Sequence, residues 1–189
     1  MKPKVQHRLG IAFNAAGIEV AEVAHDGGPL RVVRSETFAA PPPAGDDKAA
    51  AGKAWAVETL KPFRSVAARG MPVSASLRSA DAFCRLVTLP TAAEAELRPM
   101  LEMQLENLSP LPTEQVVSGF EVVRKTEKQT DLLVAIARRD AVVERLELLR
   151  QAGLAVETLD LDALALLDFL GHEKPLREKE LAALALVAL

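Results

Sequence analysis

The sequence predicts an α/β protein in which a strand-rich unit is interrupted by a second unit of β-α-β-β-α-β order, the split βαβ or ferredoxin-like arrangement. Three observations predict it. From Leu9 to Leu77, three strand-like runs precede a helix and a fourth strand. From Phe83 to Asp162, strand-like and helical runs alternate. Turn-forming clusters such as Arg69-Gly70-Met71-Pro72 and Ser109-Pro110-Leu111-Pro112 separate the runs.

The first unit opens with Leu9-Gly10-Ile11-Ala12-Phe13 and Ile18-Glu19-Val20-Ala21-Glu22-Val23-Ala24, two strands around the tight turn Asn14-Ala15-Ala16-Gly17. Gly17 can supply a positive φ there. His25-Asp26-Gly27-Gly28-Pro29 makes a second turn, and Leu30 to Phe38 a third strand with Arg31, Arg34 and Glu36 on or near its wet face. After the loop containing Pro41-Pro42-Pro43, a helix is expected from about Asp47 to Phe63, with Ala56, Leu60 and Phe63 aligned and Trp55 beside them. Val73 to Leu77 is the fourth strand.

The second unit starts with Phe83-Cys84-Arg85-Leu86-Val87-Thr88-Leu89, stopped by Pro90. Thr91 and Glu94 form a capping-box pattern, in which the hydroxyl and the carboxylate each take a backbone N–H at the helix start. Leu97, Leu101, Gln104, Leu105 and Leu108 fall on one face of that helix, which Pro110 and Pro112 end. Val116 to Val123 is strand-like, with a bulge expected at Gly119. A polar turn over Lys125 to Thr130 leads to Asp131 to Ala137, an apolar run suited to a strand covered on both faces. Asp140 is placed as the N-cap of a helix carrying Val142, Val143, Leu146 and Leu149, and Gly153 as its left-handed terminator. Leu154 to Leu159 is expected to be the insertion's last strand. Asp160 or Asp162 then caps a buried helix ending near Gly171. The expected domains are 81–159 for the insertion, and 1–80 with 160–189 for the unit around it.

Composition narrows the function. The chain is 49% hydrophobic and 26% charged, as a core-forming protein should be, and its net charge of −3 gives no footprint for nucleic acid. Arg138-Arg139 is a solvated strand end rather than a basic patch. The single cysteine, Cys84, excludes an intrachain disulfide and reads as a small buried hydrophobe rather than a nucleophile. No signal-peptide h-region follows the basic start, and no window reaches the roughly 18 apolar residues of a span. His7, His25 and His172 lack metal-ligand spacing and read as surface residues. Helix capping explains Asp160 and Asp162 better than a catalytic carboxylate pair does. No Gly-x-Ser-x-Gly elbow or P-loop occurs, and Gly27-Gly28 opens no helix.

The layout of meander, helix, strand, inserted α/β subdomain and return resembles the actin-like ATPase superfamily, whose subdomains are ribonuclease H-like. Within it the chain is similar to the branch holding the type IV pilus PilM proteins, the cell-division protein FtsA and the cytoplasmic domain of the type II secretion GspL proteins. The marks are Leu86-Val87-Thr88-Leu89-Pro90, the helix ending Leu108-Ser109-Pro110-Leu111-Pro112, Leu133-Val134-Ala135-Ile136-Ala137-Arg138-Arg139-Asp140, Gln151-Ala152-Gly153-Leu154, and Leu159-Asp160. The resemblance covers nearly the whole chain. It implies a second, related half beyond it, whose first strand Leu181 to Leu189 resembles.

Active relatives grip nucleotide phosphates with two hairpin loops, the first beginning Ile-Asp-x-Gly. Its Asp organises metal-bound water, and its Gly lets backbone N–H groups reach the phosphates. On this sequence Ala12 stands at the Asp position and Asn14 at the Gly position, ahead of Gly17, so the resemblance implies a degenerate phosphate loop with no nucleotide, metal or other cofactor. Ala188 stands in for the Asp of the second loop. An ordinary hairpin turn is the plainer reading of Asn14 to Gly17. The implied function is a non-catalytic cytoplasmic scaffold at the inner-membrane face. It would bind a PilN-like peptide or the assembly ATPase in the groove between meander and insertion. The alternatives are an active actin-like ATPase with a diverged loop, or a ferredoxin-like interaction module unrelated to secretion. Pilus and type II secretion are not separated by these residues.

Overall fold

The computed structural model describes residues 6–14, 16–26, 31–41, 48–68 and 70–165. In chain order the elements of the first unit are β1 (Gln6–Asn14), β2 (Gly17–His25), β3 (Arg31–Ala39), α1 (Lys48–Leu60), α2 (Arg64–Ala67) and β4 (Val73–Leu77). Then come β5 (Ala82–Pro90), α3 (Glu94–Leu108), β6 (Val116–Lys125), β7 (Gln129–Arg138), α4 (Arg139–Gln151) and β8 (Thr158–Leu161). Strand β4 matches its expected limits, and the expected helix is α1 continued by a 3₁₀ turn over Lys61–Phe63. The chain forms two compact units. The smaller is Ser79–Val143; the larger draws on Met1–Arg78 and on the chain from Glu144.

The larger unit is built on a five-stranded sheet of order β3-β2-β1-β4-β8. The antiparallel meander β1–β2–β3 supplies one side, and β4 and β8 add in parallel. Period-two alternation decides which face is buried. On β1, Leu9, Ile11 and Phe13 point into the core, while Gly10 and Ala12 take the other face. Ala56, Val57, Leu60 and Phe63 from the first helical segment meet them, with Leu149, Ala152 and Leu154 from the end of α4 and its loop. Leu60 and Leu149 are fully buried, each contributing about 1.5–3 kcal/mol by area. Helix α4 ends as expected at Gly153, whose φ of 80° permits a terminating turn in which the Leu154 amide donates to the Leu149 carbonyl (2.9 Å).

One expectation fails here. The last strand of the insertion was placed at Leu154 to Leu159, but the strand that forms is β8, Thr158–Leu161, and it lies beside β4 in the larger sheet. The Glu157 amide donates to the Val73 carbonyl (2.8 Å), and Ser74 to Leu77 then run in register with Thr158 to Leu161. A parallel pair needs a long crossover; the insertion and α4 provide it. The smaller unit, Ser79–Val143, therefore has three strands in its own sheet among the described residues, not four.

The smaller unit is that sheet, β5-β7-β6, all antiparallel, with α3 on one face. Leu97, Leu101 and Leu105 of α3 pack on Val87, Leu89, Val116, Leu132, Val134 and Ile136. Gln104, expected on the same stripe, is exposed. The helix starts later than expected and only the carboxylate half of a capping box forms: the Ala93 amide donates to Glu96 Oε2 (3.0 Å), while the Ala93 methyl can accept nothing in return. Thr91 is engaged elsewhere, its hydroxyl donating to the Thr126 carbonyl (2.7 Å) and its amide to the Lys128 carbonyl. The bulge in β6 falls at Val123, not Gly119: Val122 faces Leu132 and Arg124 faces Asp131. On α4, Val143 and Leu146 are exposed rather than part of a buried stripe.

Candidate functional site

The tip of the β1–β2 hairpin carries Ala12, Asn14 and Gly17, the residues the resemblance singles out. Asn14 pairs with Gly17, leaving a two-residue loop. The Asn14 Oδ1 accepts the Ala16 amide (2.8 Å) and the Gly17 amide (2.9 Å). This is an Asx-type turn, in which a short polar side chain stands in for an external acceptor. The Asn14 Nδ2 in turn donates to Glu19 Oε1 (3.0 Å). Glu19 lies directly opposite Ala12 in the pairing, so both project from the same sheet face. A carboxylate thus stands beside the position where a metal-ordering acid was expected, and it opposes the approach of a phosphate.

Gly17 has a packing role. Its φ is 150°, and a Cβ added there would lie 1.9 Å from the Phe38 carbonyl oxygen and 2.8 Å from the Ala40 nitrogen. The Ala40 amide donates to the Ala16 carbonyl (2.8 Å), so the end of β3 is held against the turn. Beneath it, the Phe13 amide donates to Ser76 Oγ (3.2 Å), with Ser76 buried in β4. The Arg145 guanidinium lies 3.6 Å from the centroid of the buried Phe13 ring, a cation–π contact that ties α4 to this strand. Glu19, Ser76 and Arg145 were not foreseen. Glu19 follows from the hairpin register once the turn is fixed; Arg145 has no signal in the local sequence.

The remaining candidates do not gather into a site. His7 Nδ1 lies 2.8 Å from Glu22 Oε1 on neighbouring strands, and His25 ends β2. Among the described residues no group of three His, Cys, Asp or Glu could hold a metal. Cys84 is half-buried rather than buried; desolvation raises its thiol pKa, which Arg85 partly offsets. Asp160 lies within β8, its Oδ1 accepting the Leu161 amide, and Asp162 Oδ1 accepts the Ala163 amide where 162–165 turn helical. The helix end near Gly171, His172, Gly27-Gly28, Leu181 to Leu189 and Ala188 lie outside the described residues. Among the described residues no helix is long and apolar enough to cross a membrane.

A well-connected polar cluster among the described residues is in the smaller unit. Asp131 accepts from Thr88 Oγ1 (2.7 Å) and from Arg124 Nε (2.8 Å). The Thr88 hydrogen bond, then that of Arg124, holds the Asp131 carboxyl below its usual range. All three residues satisfy one another across adjacent strands, which is the pattern of a sheet staple rather than of a reactive acid.

Residues 10–182 match the family described as type IV pilus assembly protein PilM. Among solved structures, the chain is similar to the PilM–PilN type IV pilus biogenesis complex, at 25% identity and a TM-score of 0.69, covering 89% of this chain and 52% of that one. It also resembles the cytoplasmic domain of EpsL, an inner membrane component of the type II secretion system of Vibrio cholerae. That match is at 21% identity and a TM-score of 0.52, over 86% of this chain and 59% of that one, and speaks for the fold alone. The chain thus spans little more than half the length of either.

Proposed function

The chain belongs to the type IV pilus assembly protein PilM family, and on that premise we propose that it is a non-catalytic scaffold of a type IV pilus assembly. It would act at the cytoplasmic face of the inner membrane and bind a PilN-like inner-membrane partner. The family match favours the pilus over type II secretion. The similarity to a PilM–PilN complex supports the choice of partner.

One observation carries the non-catalytic part. The turn that would grip phosphate has its Ala16 and Gly17 amides occupied by the Asn14 side chain, with Glu19 beside Ala12. A phosphate would have to displace an internal hydrogen-bond acceptor and sit next to a carboxylate, without an acid at position 12 to organise a metal. Ala12, Asn14 and Gly17 are therefore a degenerate loop in this reading. Two measurements test it. Calorimetric titration with Mg-ATP should show no saturable binding; micromolar affinity would overturn the non-catalytic reading in favour of an ATPase with a diverged loop. Co-purification with a PilN-type partner from the same pilus system should succeed; failure with every such partner would overturn the scaffold role.

A further inference from the structure

Strand edges are where a sheet can accept another chain, because their outward N–H and C=O groups have no partner. The described residues contain four such edges. On β3 the ladder breaks at Val33, since Glu22 faces Arg34 and Val23 faces Val32. On β6 it breaks in the same way at Val123. Each bulge twists its edge away from regular pairing. Strand β8 has only four residues. Strand β5 is different. It runs nine residues in unbroken register with β7, from Ala82 opposite Ala137 to Pro90 opposite Gln129, and no described strand pairs with its other edge.

The side chains along β5 describe what would fit. Phe83 is 37% exposed and Leu86 68% exposed. Arg85 is exposed between them; its guanidinium donates to the Cys84 carbonyl (3.3 Å), and among the described residues no carboxylate pairs with it. A second copy is a poor occupant. The β5 sequence AFCRLVTLP contains no acid. Full antiparallel overlap of two β5 strands would set the two Arg85 residues diagonally on one face, roughly 7–8 Å apart, where like charges repel. A heterologous strand carrying a carboxylate avoids that.

We infer that the free edge of β5 binds an extended segment of a partner by strand addition, with an acidic side chain opposite Arg85 and apolar side chains opposite Phe83 and Leu86. The inference rests on the partner-binding role proposed above and adds the chemistry of the bound segment. Main-chain hydrogen bonds supply affinity, and the three side chains supply register. Pro90, without an N–H, ends the usable edge.

The test uses the chain and a labelled probe peptide, acetyl-Thr-Val-Val-Glu-Val-Val-Thr-amide, which sets Val opposite both Phe83 and Leu86 when its Glu faces Arg85, followed by fluorescence anisotropy. Saturable binding is expected. N-methylation of alternate residues on the edge-facing side should abolish it. Arg85→Glu should weaken binding about tenfold or more, and a probe with Lys in place of its Glu should recover that affinity on the Arg85→Glu chain. Because Arg85 is exposed, the fold should tolerate the change. Equal binding of the N-methylated probe, or unchanged affinity of Arg85→Glu, overturns the inference. A concentration-dependent dimer that Leu86→Lys abolishes, seen by sedimentation without peptide, overturns it too, by assigning the edge to a second copy. If the PilN-type partner co-purifies equally with Arg85→Glu while the probe fails, the edge is refuted and the scaffold role stands. Failure of the unmodified chain to capture the partner refutes the role itself.

Discussion

Two tight hairpins among the described residues have the same internal wiring, although only one occupies the position that the resemblance gives to a phosphate loop. In the β1–β2 turn, Asn14 Oδ1 accepts the amides two and three residues on, Ala16 and Gly17. In the β6–β7 turn, Thr126 Oγ1 accepts the amides two and three residues on, Lys128 and Gln129. Both turns use a side-chain oxygen to satisfy donors that strand pairing leaves over. The comparison teaches how the backbone donors of the first turn are used in this chain. They do not stay open for an anion; a local acceptor takes them, as in any stable hairpin. The turns differ in one respect. The first is pressed against the end of β3 through Gly17, where a Cβ would clash, whereas the second is held from outside by Thr91 hydrogen bonds to the Thr126 and Lys128 carbonyls and puts no such limit on Gln129.

That difference gives the largest expected effect. Gly17→Ala would drive a Cβ into the Phe38 carbonyl at an unfavourable φ, and should cost about 3 kcal/mol or more. Gln129→Ala, at the matching place in the exposed hairpin, should cost within about 0.5 kcal/mol. Chemical denaturation of both variants checks this, and equal losses would mean that the close approach of β3 is not a constraint. The shared wiring predicts a smaller effect of similar size in both turns: Asn14→Ala and Thr126→Ala should each cost about 1–2 kcal/mol by orphaning backbone donors. A loss at Thr126 with none at Asn14 would show that the Asn14 side chain does not hold its turn shut. Thr130, four residues after Thr126, sharpens the contrast. Its side chain is fully buried and its hydroxyl has no partner among the described residues. Thr130→Val should therefore stabilise the protein by about 1 kcal/mol, read as a higher denaturation midpoint.

Local features were legible in the sequence, and features that depend on a distant partner were not. Strand β4 was readable to the residue because turn residues bound it at one end and its own alternation fixes its face. Gly153 was readable because a left-handed residue after a helix leaves few choices. The capping box at Thr91 was misplaced because Thr91 is held by Thr126 and Lys128, more than 30 positions away. The β8 error has the same origin. Alternating strand and helix runs reveal how many strands exist, but the choice of sheet was made by Val73 and Ser74, reached across the whole insertion. At the candidate site, Ala12 and Asn14 were legible as departures from the Ile-Asp-x-Gly pattern of the resemblance. The contacts that close the turn, the bonds to Asn14 from its own turn and the Arg145 stack on Phe13, needed coordinates.

The smallest effect contrasts one carboxylate from each unit. Asp131 in the smaller unit is held below its usual pKa by Thr88 and then Arg124. Glu147 in the larger unit is drawn down from 4.5 to about 2, first by the hydrogen bond from Arg150 and then by that from Gln151. A carboxyl whose folded pKa is lowered adds stability that is complete above its unfolded pKa and is lost as pH falls toward the folded value. Both units should therefore lose thermal stability on acidification, for Glu147 between 4.5 and about 2. The two should not contribute equally. Asp131 is 9% exposed and bonded from two sides, whereas Glu147 and Arg150 form a solvent-facing pair that water and salt screen. Melting temperature measured against pH should flatten at the acid end in Asp131→Asn and barely change in Glu147→Gln, with the residual Glu147 effect fading at high salt. An acid limb unchanged by Asp131→Asn would mean that the Thr88–Asp131–Arg124 staple does not couple proton binding to folding, and that the sheet of the smaller unit is held by its apolar face alone.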